Sequence, residues 1–255
     1  MNKKIIPFLA LLLLPLILRV SAAGREPGVR IGDFCEYHDI VVYWSSTDPN
    51  ATCPDYLKEF NETQWMYLQV LDVDGTNVTG QATIHYKNGT EETSGGWVDV
   101  DTGNGNNMTM FLIAANLGPG DSIYTSGYYS SWMINETISK MYPSGEVRDT
   151  NLFNLTMEYG VYPPYHARYS MNYYWDKDTG AIVQMDMMTT EQWTYNSTHL
   201  MDVENTTYSM HIGITGTNRW VVPEFSAWTL LLTLTFSFAV ITVIVKRRRL
   251  KIQNS

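Results

Sequence analysis

The chain has few of the residues that most catalytic sites need. Its 255 residues include two cysteines and five histidines, and 17% of them are charged. It contains no G-x-S-x-G nucleophile elbow, no H-E-x-x-H metal pair, no Walker phosphate loop and no G-x-G-x-x-G dinucleotide loop. The histidines occur singly and form no short-range ligand pair; they are His38, His85, His166, His199 and His211. We therefore predict a protein that is not an enzyme.

Basic residues are scarce between the two ends of the chain. Residues 24–222 hold 9 basic and 25 acidic residues, a net charge of −16. Nucleic-acid binding depends on lysine and arginine meeting phosphates, so this composition argues against a nucleic-acid partner. Such negative charge is typical of a well-solvated, exposed surface.

An uncharged run of 14 residues lies near the N-terminus, at positions 5–18. Lys3 and Lys4 precede it and small residues follow at 21–24, which is the order of a secretory signal peptide. As a helix it rises about 21 Å, short of a hydrocarbon core of roughly 30 Å. We predict that residues 1–23 are a signal peptide, cleaved after Ala22 or Ala23. An uncleaved anchor is the alternative.

A second uncharged run, of 20 residues at 226–245, is long enough to cross a membrane. The basic tail that follows it marks the cytoplasmic side; its charges are Lys246, Arg247, Arg248, Arg249 and Lys251. The sequence thus predicts one transmembrane helix in the lipid bilayer. It also predicts an ectodomain at 24–222 outside the cell and a cytoplasmic tail at 246–255.

The tripeptide Pro223-Glu224-Phe225, followed by the span and the arginine cluster, resembles the C-terminal signal of the PEF-CTERM proteins of archaea. The resemblance covers residues 223–249. In that family a membrane-embedded archaeosortase is thought to recognise the signal, remove the helix and transfer the protein to another anchor. The resemblance implies that Pro223, Glu224 and Phe225 are recognition residues on a substrate. The alternative is an ordinary stop-transfer helix that stays in place.

Asn-x-Thr acceptor sites for N-glycosylation are far more frequent than chance predicts. With 17 Asn and 43 Ser plus Thr in 255 residues, about three are expected, and nine are present. This excess predicts an N-glycosylated extracellular face. The acceptors are Asn50, Asn61, Asn77, Asn88, Asn107, Asn135, Asn154, Asn196 and Asn205. Because Asn and Thr are also common in turns and strands, part of the excess has a structural explanation.

The two cysteines, Cys35 and Cys53, are both outside the membrane in this topology. A pair of cysteines in an oxidising compartment most simply forms a disulfide. The bond would stabilise the fold by roughly 3 kcal/mol on the chain-entropy model. A metal site that uses His38 as a third ligand is the alternative.

The ectodomain reads as strands separated by turns. Segments rich in β-branched and aromatic residues, several of them alternating apolar with polar, predict strands at 34–44, 63–73, 81–87, 108–116, 132–142, 165–175, 181–190 and 206–214. Residues 55–62 predict one short helix. The pattern predicts one all-β domain, an antiparallel meander curled into a half-barrel or sandwich.

Three turns place two carboxylates two residues apart beside a glycine, at 72–75, 99–104 and 176–180. Calcium prefers several such oxygens on a sharply turning backbone. The strongest candidate is the set Asp99, Asp101 and Asn104, with Asn106 close by. None of the turns matches the EF-hand pattern, and hairpin turns alone explain the same residues.

Aromatic residues are dense between 159 and 175 and offer a binding surface. They are Tyr159, Tyr162, Tyr165, Tyr169, Tyr173, Tyr174 and Trp175. Exposed rings stack on sugars or line an apolar cleft. Packing across a sheet is the alternative.

Together these features predict a non-catalytic, N-glycosylated, membrane-anchored protein of the cell surface that serves the envelope or adhesion. Its partners would be the lipid bilayer, other envelope proteins or glycans. The alternative is an extracellular binding module that holds a lipid, a glycan or another small ligand on a curled sheet. A pocket on the sheet would favour the second function, and a fully filled core would exclude it.

Overall fold

A computed structural model of the chain describes residues 24–160, 165–194 and 203–219. The predicted signal peptide, PEF-like motif, membrane span and tail lie outside the described residues. Within the described ranges, no helix is both long and apolar enough to cross a membrane. The β-domain ends at Thr217, and the chain beyond it forms a separate unit of which only Asn218 and Arg219 are described.

Ten strands and one short helix make up the described domain. In chain order they are β1 (Phe34–Ser46), α1 (Asp55–Glu62), β2 (Thr63–Asp74), β3 (Asn77–Tyr86), β4 (Glu91–Asp99), β5 (Gly105–Asn106), β6 (Glu136–Met141), β7 (Val147–Tyr159), β8 (Tyr165–Asp176), β9 (Ile182–Thr194) and β10 (Val203–Thr217), with a 3₁₀ turn at Tyr128–Ser131. The predicted helix over 55–62 is confirmed.

All ten strands belong to one sheet, in the order β5-β4-β3-β2-β1-β10-β9-β8-β7-β6. Every neighbouring pair is antiparallel. The chain therefore builds two meanders, β1 to β5 and β6 to β10, which meet where the first and last strands pair. The predicted all-β, antiparallel class is confirmed. A sandwich is wrong, because the described strands form a single open sheet.

The two faces of the sheet follow from the alternation of side chains along each strand. On β10, Met210, Ile212 and Ile214 are buried while the residues between them point to the other side. On β7, Phe153 is buried and Asn154 is exposed. We call the face that carries these buried residues the inner face and the opposite one the outer face.

Residues 107–135, which connect the two meanders, cover one end of the inner face. Met108, Leu112 and Ile113 are each at most 1% exposed. Further along, the Trp132 ring stacks on Phe153 of β7 with centroids 4.5 Å apart. The predicted strand at 108–116 is wrong: this apolar run is part of the core without being a strand, and periodicity alone cannot distinguish the two for a short run.

Buried hydrogen bonds fasten this connecting segment to the sheet. Trp175 Nε1 donates to Met110 O over 2.9 Å, and the backbone N of Ile113 donates to Gly180 O over 3.0 Å. Gly180 has a φ of 71°, and a Cβ there would lie 2.0 Å from Ile113 O. Only glycine allows this approach, since it tolerates positive φ and has no side chain.

An ion pair closes the turn between β8 and β9. Asp176 is 1% exposed and accepts hydrogen bonds from Arg148 Nε at 2.5 Å and from the backbone N of Thr179 at 2.9 Å. Arg148 also reaches Asp178 Oδ2, 3.1 Å away. The guanidinium thus holds the carboxylates of one of the three acidic turns.

We predict that the Arg148→Met substitution destabilises the domain by about 3–5 kcal/mol, because it leaves the Asp176 carboxylate buried without its partner. Urea unfolding of the full chain, followed by tryptophan fluorescence, measures the change. The control is Lys58→Met, which removes the partner of Asp55 from a pair on the surface of α1, 2.9 Å apart. We expect that variant to unfold close to the wild type. Equal midpoints for both variants would contradict a structural role for the buried pair.

Candidate functional site

The end of the inner face that residues 107–135 leave uncovered carries a cleft of about 370 Å³. Small-molecule sites usually have volumes of a few hundred Å³ or more. The lining residues come from β1, β9, β10, α1 and the loop before α1. They are Trp44, Asp48, Ala51, Thr52, Pro54, Tyr56, Glu191, Trp193, Thr206 and Tyr208.

The strand register sets the shape of the cleft. Trp44 of β1 lies opposite Tyr208 of β10, which gives one row of large rings. Two residues earlier on β10, Thr206 lies opposite Glu191 of β9. Trp193, two residues after Glu191 on β9, lies in the next row. The floor is therefore a row of small or flexible side chains between two rows of aromatic rings.

A fourth ring comes from the helix. The rings of Tyr56 and Tyr208 lie edge to face, with centroids 6.5 Å apart and planes at 78°. Tyr56 is 48% exposed and Trp193 is 42% exposed, so both present ring surface to solvent. Tyr43, Tyr128 and Trp97, which lie outside the cleft, are similarly exposed, so the feature that distinguishes Tyr56 and Trp193 is the recess that they line.

Two carboxylates, Glu191 and Asp48, supply the charge of the cleft. Burial, the hydrogen bond with Tyr208 and the nearby Glu191 charge raise the pKa of Tyr56 to about 12. A hydrogen bond with Tyr165, burial and the same Glu191 charge raise the pKa of Tyr169. The negative charge of Glu191 therefore contributes to the raised pKa of both tyrosines. Within the described part of the lining there is no basic side chain.

Several polar groups of the cleft are already engaged inside the protein. The hydroxyls of Thr206 and Ser46 bond to each other over 2.9 Å. The indole N–H of Trp44 is buried from solvent without a hydrogen-bond partner. Besides the aromatic faces and the carboxylate oxygens, the exposed Thr52 belongs to the lining.

The predicted calcium residues lie together in the turn after β4, but the carboxylates serve the turn itself. Asp99 Oδ1 accepts the backbone N of Asp101 at 2.9 Å and that of Thr102 at 3.2 Å. Burial opposes ionisation of Asp99, but these hydrogen bonds outweigh it and lower its pKa. Asp101 lies 3.7 Å from Arg25 Nε. Asn104 and Asn106 are exposed.

Among the described residues, no group of three or more His, Cys, Asp or Glu side chains is arranged to hold a metal ion. Calcium at this turn stays a prediction, and the hydrogen bonds around Asp99 favour the reading as a turn.

The described histidines lie on four different strands. His38 and His85 both lie against Trp65, with ring centroids at 6.1 Å and 4.9 Å. His211 is held between Asp186, at 2.5 Å, and Asp39, at 3.2 Å. His166 lies 3.9 Å from Glu158. His199 lies outside the described residues.

The predicted aromatic row divides between two locations. Tyr173 and Trp175 are buried and stack with centroids 5.6 Å apart, so they belong to the core. Tyr165 and Tyr169 lie on the inner face beside the cleft. The ring centroids of Tyr165 and Trp193 are 4.2 Å apart. Tyr159 is half exposed, Tyr174 points outward, and Tyr162 is outside the described residues.

Seven of the nine predicted glycosylation acceptors are exposed, on the loops, on α1 and on the strands. They are Asn50, Asn61, Asn77, Asn88, Asn107, Asn135 and Asn154. Asn205 differs, because it is half-buried and its Oδ1 has no accessible surface. Asn196 lies outside the described residues.

The predicted disulfide is wrong in this structure, where Cys35 and Cys53 are both free. The 11 residue-to-residue steps from Cys35 to Ser46 run along β1, which carries the chain about 36 Å. Residues 47–53 can return at most about 25 Å, whereas a disulfide needs the two Cα atoms within about 7 Å. Loop length alone suggested a bond that the straight strand prevents.

Most residues of the cleft escaped sequence analysis. Trp44, Tyr56, Trp193 and Tyr208 are separated by long stretches of chain and meet only through the pairing of β1, β10 and β9. The one local signal is that the rings of Trp44, Tyr208 and Trp193 each lie next to a polar run at a strand end. That signal does not reveal which strands are neighbours.

Comparison with protein-family models, with curated proteins and with solved structures gives no significant match for this chain.

We predict that iodoacetamide at pH 8 labels Cys53 and leaves Cys35 unmodified in the folded protein. Burial raises the pKa of the Cys35 thiol to about 12. At pH 8 only about one Cys35 in 10⁴ is then the reactive thiolate. Peptide mass spectrometry of the full chain checks the sites. The Cys53→Ser variant should take up no label until guanidinium unfolds it. Native labelling of Cys35, or a mass that indicates a disulfide, would contradict this result.

Proposed function

We propose that this chain is a non-catalytic, N-glycosylated protein of the cell surface whose β-domain is a binding module for a small ligand. The aromatic cleft at the open end of the inner face carries the proposal. Residues 107–135 fill one end of that face, and four rings from separate elements surround a recess at the other.

The membrane anchor and the surface location rest on the sequence. The predicted signal peptide at 1–23, the span at 226–245 and the basic tail would place the β-domain outside the cell. If the resemblance of Pro223-Glu224-Phe225 to the PEF-CTERM signal holds, an archaeosortase exchanges the helix for another anchor. The seven exposed acceptor asparagines and the net charge of −16 over 24–222 suit a solvated surface of the envelope.

The proposal includes a sheet that curls into a half-barrel around its inner face. Ten antiparallel strands accumulate a right-handed twist, and open sheets of this size tend to curl. A curled sheet would bring β1, β9 and β10 around the cleft with α1 above them. The absence of catalysis is also part of the proposal, and it rests on the sequence, which lacks the nucleophile-elbow, metal-pair and phosphate-loop motifs.

We expect that filling the floor of the cleft abolishes ligand retention. In the Thr206→Trp variant an indole replaces a small side chain between the two aromatic rows, while the Asn205 acceptor site stays intact. Native mass spectrometry of the full chain, purified from its own host's membranes, should find a small-molecule adduct on the wild type and none on the variant.

The matched control is Ser209→Trp, which adds the same ring to β10 on the outer face. That variant should retain the adduct. A wild type that carries no adduct even after incubation with host medium would contradict a binding module, as would equal retention by both variants.

The intact mass of the same preparation tests the anchor and the glycans. We predict mass missing beyond Pro223 and a lipid-sized addition; a retained helix and tail would leave an ordinary single-pass protein. Asn88→Gln should lose one glycan, since Asn88 is exposed at the turn between β3 and β4. Asn205→Gln should leave the mass of attached glycan unchanged, because Asn205 is half-buried. The opposite pattern would contradict a role for exposure in site occupancy.

A further inference from the structure

We propose that the cleft binds an organic cation, an alkylated ammonium group that sits over Glu191 between the aromatic rows. This inference rests on the proposed function and names the ligand class of that site. Three features of the cleft support it: the aromatic rings, the two carboxylates, and a lining that suits anions, sugars and metal ions poorly.

Aromatic rings line the cleft, and aromatic rings are the side chains that recognise quaternary ammonium ions. An aromatic face attracts a cation that lies within about 6 Å of the ring centroid. The rings of Tyr56 and Tyr208, 6.5 Å apart and nearly perpendicular, make one corner. Trp44 continues the Tyr208 row, and Trp193 bounds the far side of the Glu191 row. The register therefore places Glu191 between the row of Trp44 and Tyr208 and the row of Trp193.

The charge of the cleft selects a positive ligand. Glu191 and Asp48 line it, and the part of the lining that the structure describes contains no lysine or arginine. A phosphate, sulfate or carboxylate ligand would face these carboxylates without a counter-charge, so anionic ligands are disfavoured. The ectodomain's net charge of −16 would also raise the local concentration of cations.

A neutral sugar needs both donors and acceptors, and the described lining contains no asparagine, glutamine, lysine or arginine side chain to supply donors. The Thr206 hydroxyl is paired with Ser46. The Trp44 N–H has no accessible surface and cannot reach a ligand in the recess. A fully alkylated ammonium group does not need hydrogen bonds from these donors.

A metal ion is also a poor match. Calcium takes six to eight oxygen ligands, and the cleft offers two carboxylates. Across the residues that the structure describes, no set of three acidic, histidine or cysteine side chains is suitably arranged. Methylated ammonium ions are large, have apolar surfaces, and fit a recess that is walled by rings.

The test uses the full chain in nanodiscs of phosphatidylglycerol, which contain no choline headgroup, in 150 mM NaCl as a working condition of about physiological ionic strength. Isothermal titration with choline chloride is compared with 3,3-dimethylbutan-1-ol, the uncharged molecule of nearly the same shape. We expect choline to bind at least about tenfold more tightly, which corresponds to one desolvated cation–π contact or ion pair. Glucose and calcium chloride serve as further probes.

Variants locate the site. Glu191→Gln should weaken choline binding about tenfold or more, since it removes the charge and keeps the size. Glu191→Asp keeps the charge and should retain most of the affinity. The control Glu158→Gln removes an exposed carboxylate elsewhere on the sheet, 3.9 Å from His166, and should bind like the wild type. Asp48→Asn gives a second test in the loop if the β9 variant does not fold.

The outcomes separate this inference from the proposed function. Equal binding of choline and its uncharged analogue, or tighter binding of glucose or calcium, would contradict the inference that the ligand is an organic cation. The proposed function as a binding module would still stand. If Glu191→Gln and Asp48→Asn both bind choline like the wild type, the inference that choline binds in this cleft is wrong. A response to phosphatidylcholine vesicles without one to free choline overturns a soluble ligand, because the adjacent phosphate would face the two carboxylates. No binding by any probe, with no adduct sensitive to Thr206→Trp, overturns both proposals.

Discussion

The packing of residues 107–135 against one end of the inner face is the constraint on which the rest of the domain depends. A single open sheet has two faces, and without this segment the buried residues of β10, β8 and β7 would meet water. Trp175 and Gly180 fasten the segment through hydrogen bonds to its backbone. Because the segment covers only one end, the same packing that makes the core also leaves the other end of the face accessible. The cleft is therefore a product of where the connection between the meanders runs.

Much of the sheet could be predicted, because the signal for most strands is local. Alternation and β-branched residues identified seven strand segments, and residues 55–62 identified the helix. Three strands were missed, of which β5 is only two residues long, and β4 and β7 escaped for physical reasons. β4 contains Gly95 and Gly96 and begins with two glutamates, so it has little intrinsic strand preference. β7 mixes Asn and Asp residues into its pattern, and it is a strand because β6 and β8 pair with it on both sides.

The site was predicted far less well than the fold, since it depends on register. The sequence drew attention to the aromatic residues from 159 to 175, but two of those seven residues, Tyr173 and Trp175, belong to the core. The rings that line the cleft come from β1, α1, β9 and β10, and only the pairing of Trp44 with Tyr208 brings the first strand to the last. The disulfide failed for the same reason, because spacing along the chain does not report the direction of the strand between two cysteines.

The pairing of β1 with β10 has a consequence for how the protein is made. Cys35 lies opposite Thr217, so the first and last strands of the sheet pair although almost the whole ectodomain sequence separates them. During synthesis, Phe34–Ser46 would present an unpaired edge until Val203–Thr217 emerges, only a few residues before the predicted span at 226–245. Such non-local closure is slow and leaves the chain open to association in the meantime. The sheet can therefore close only when nearly the whole domain has been made, and a truncation before Val203 would leave the edge of Phe34–Ser46 unpaired.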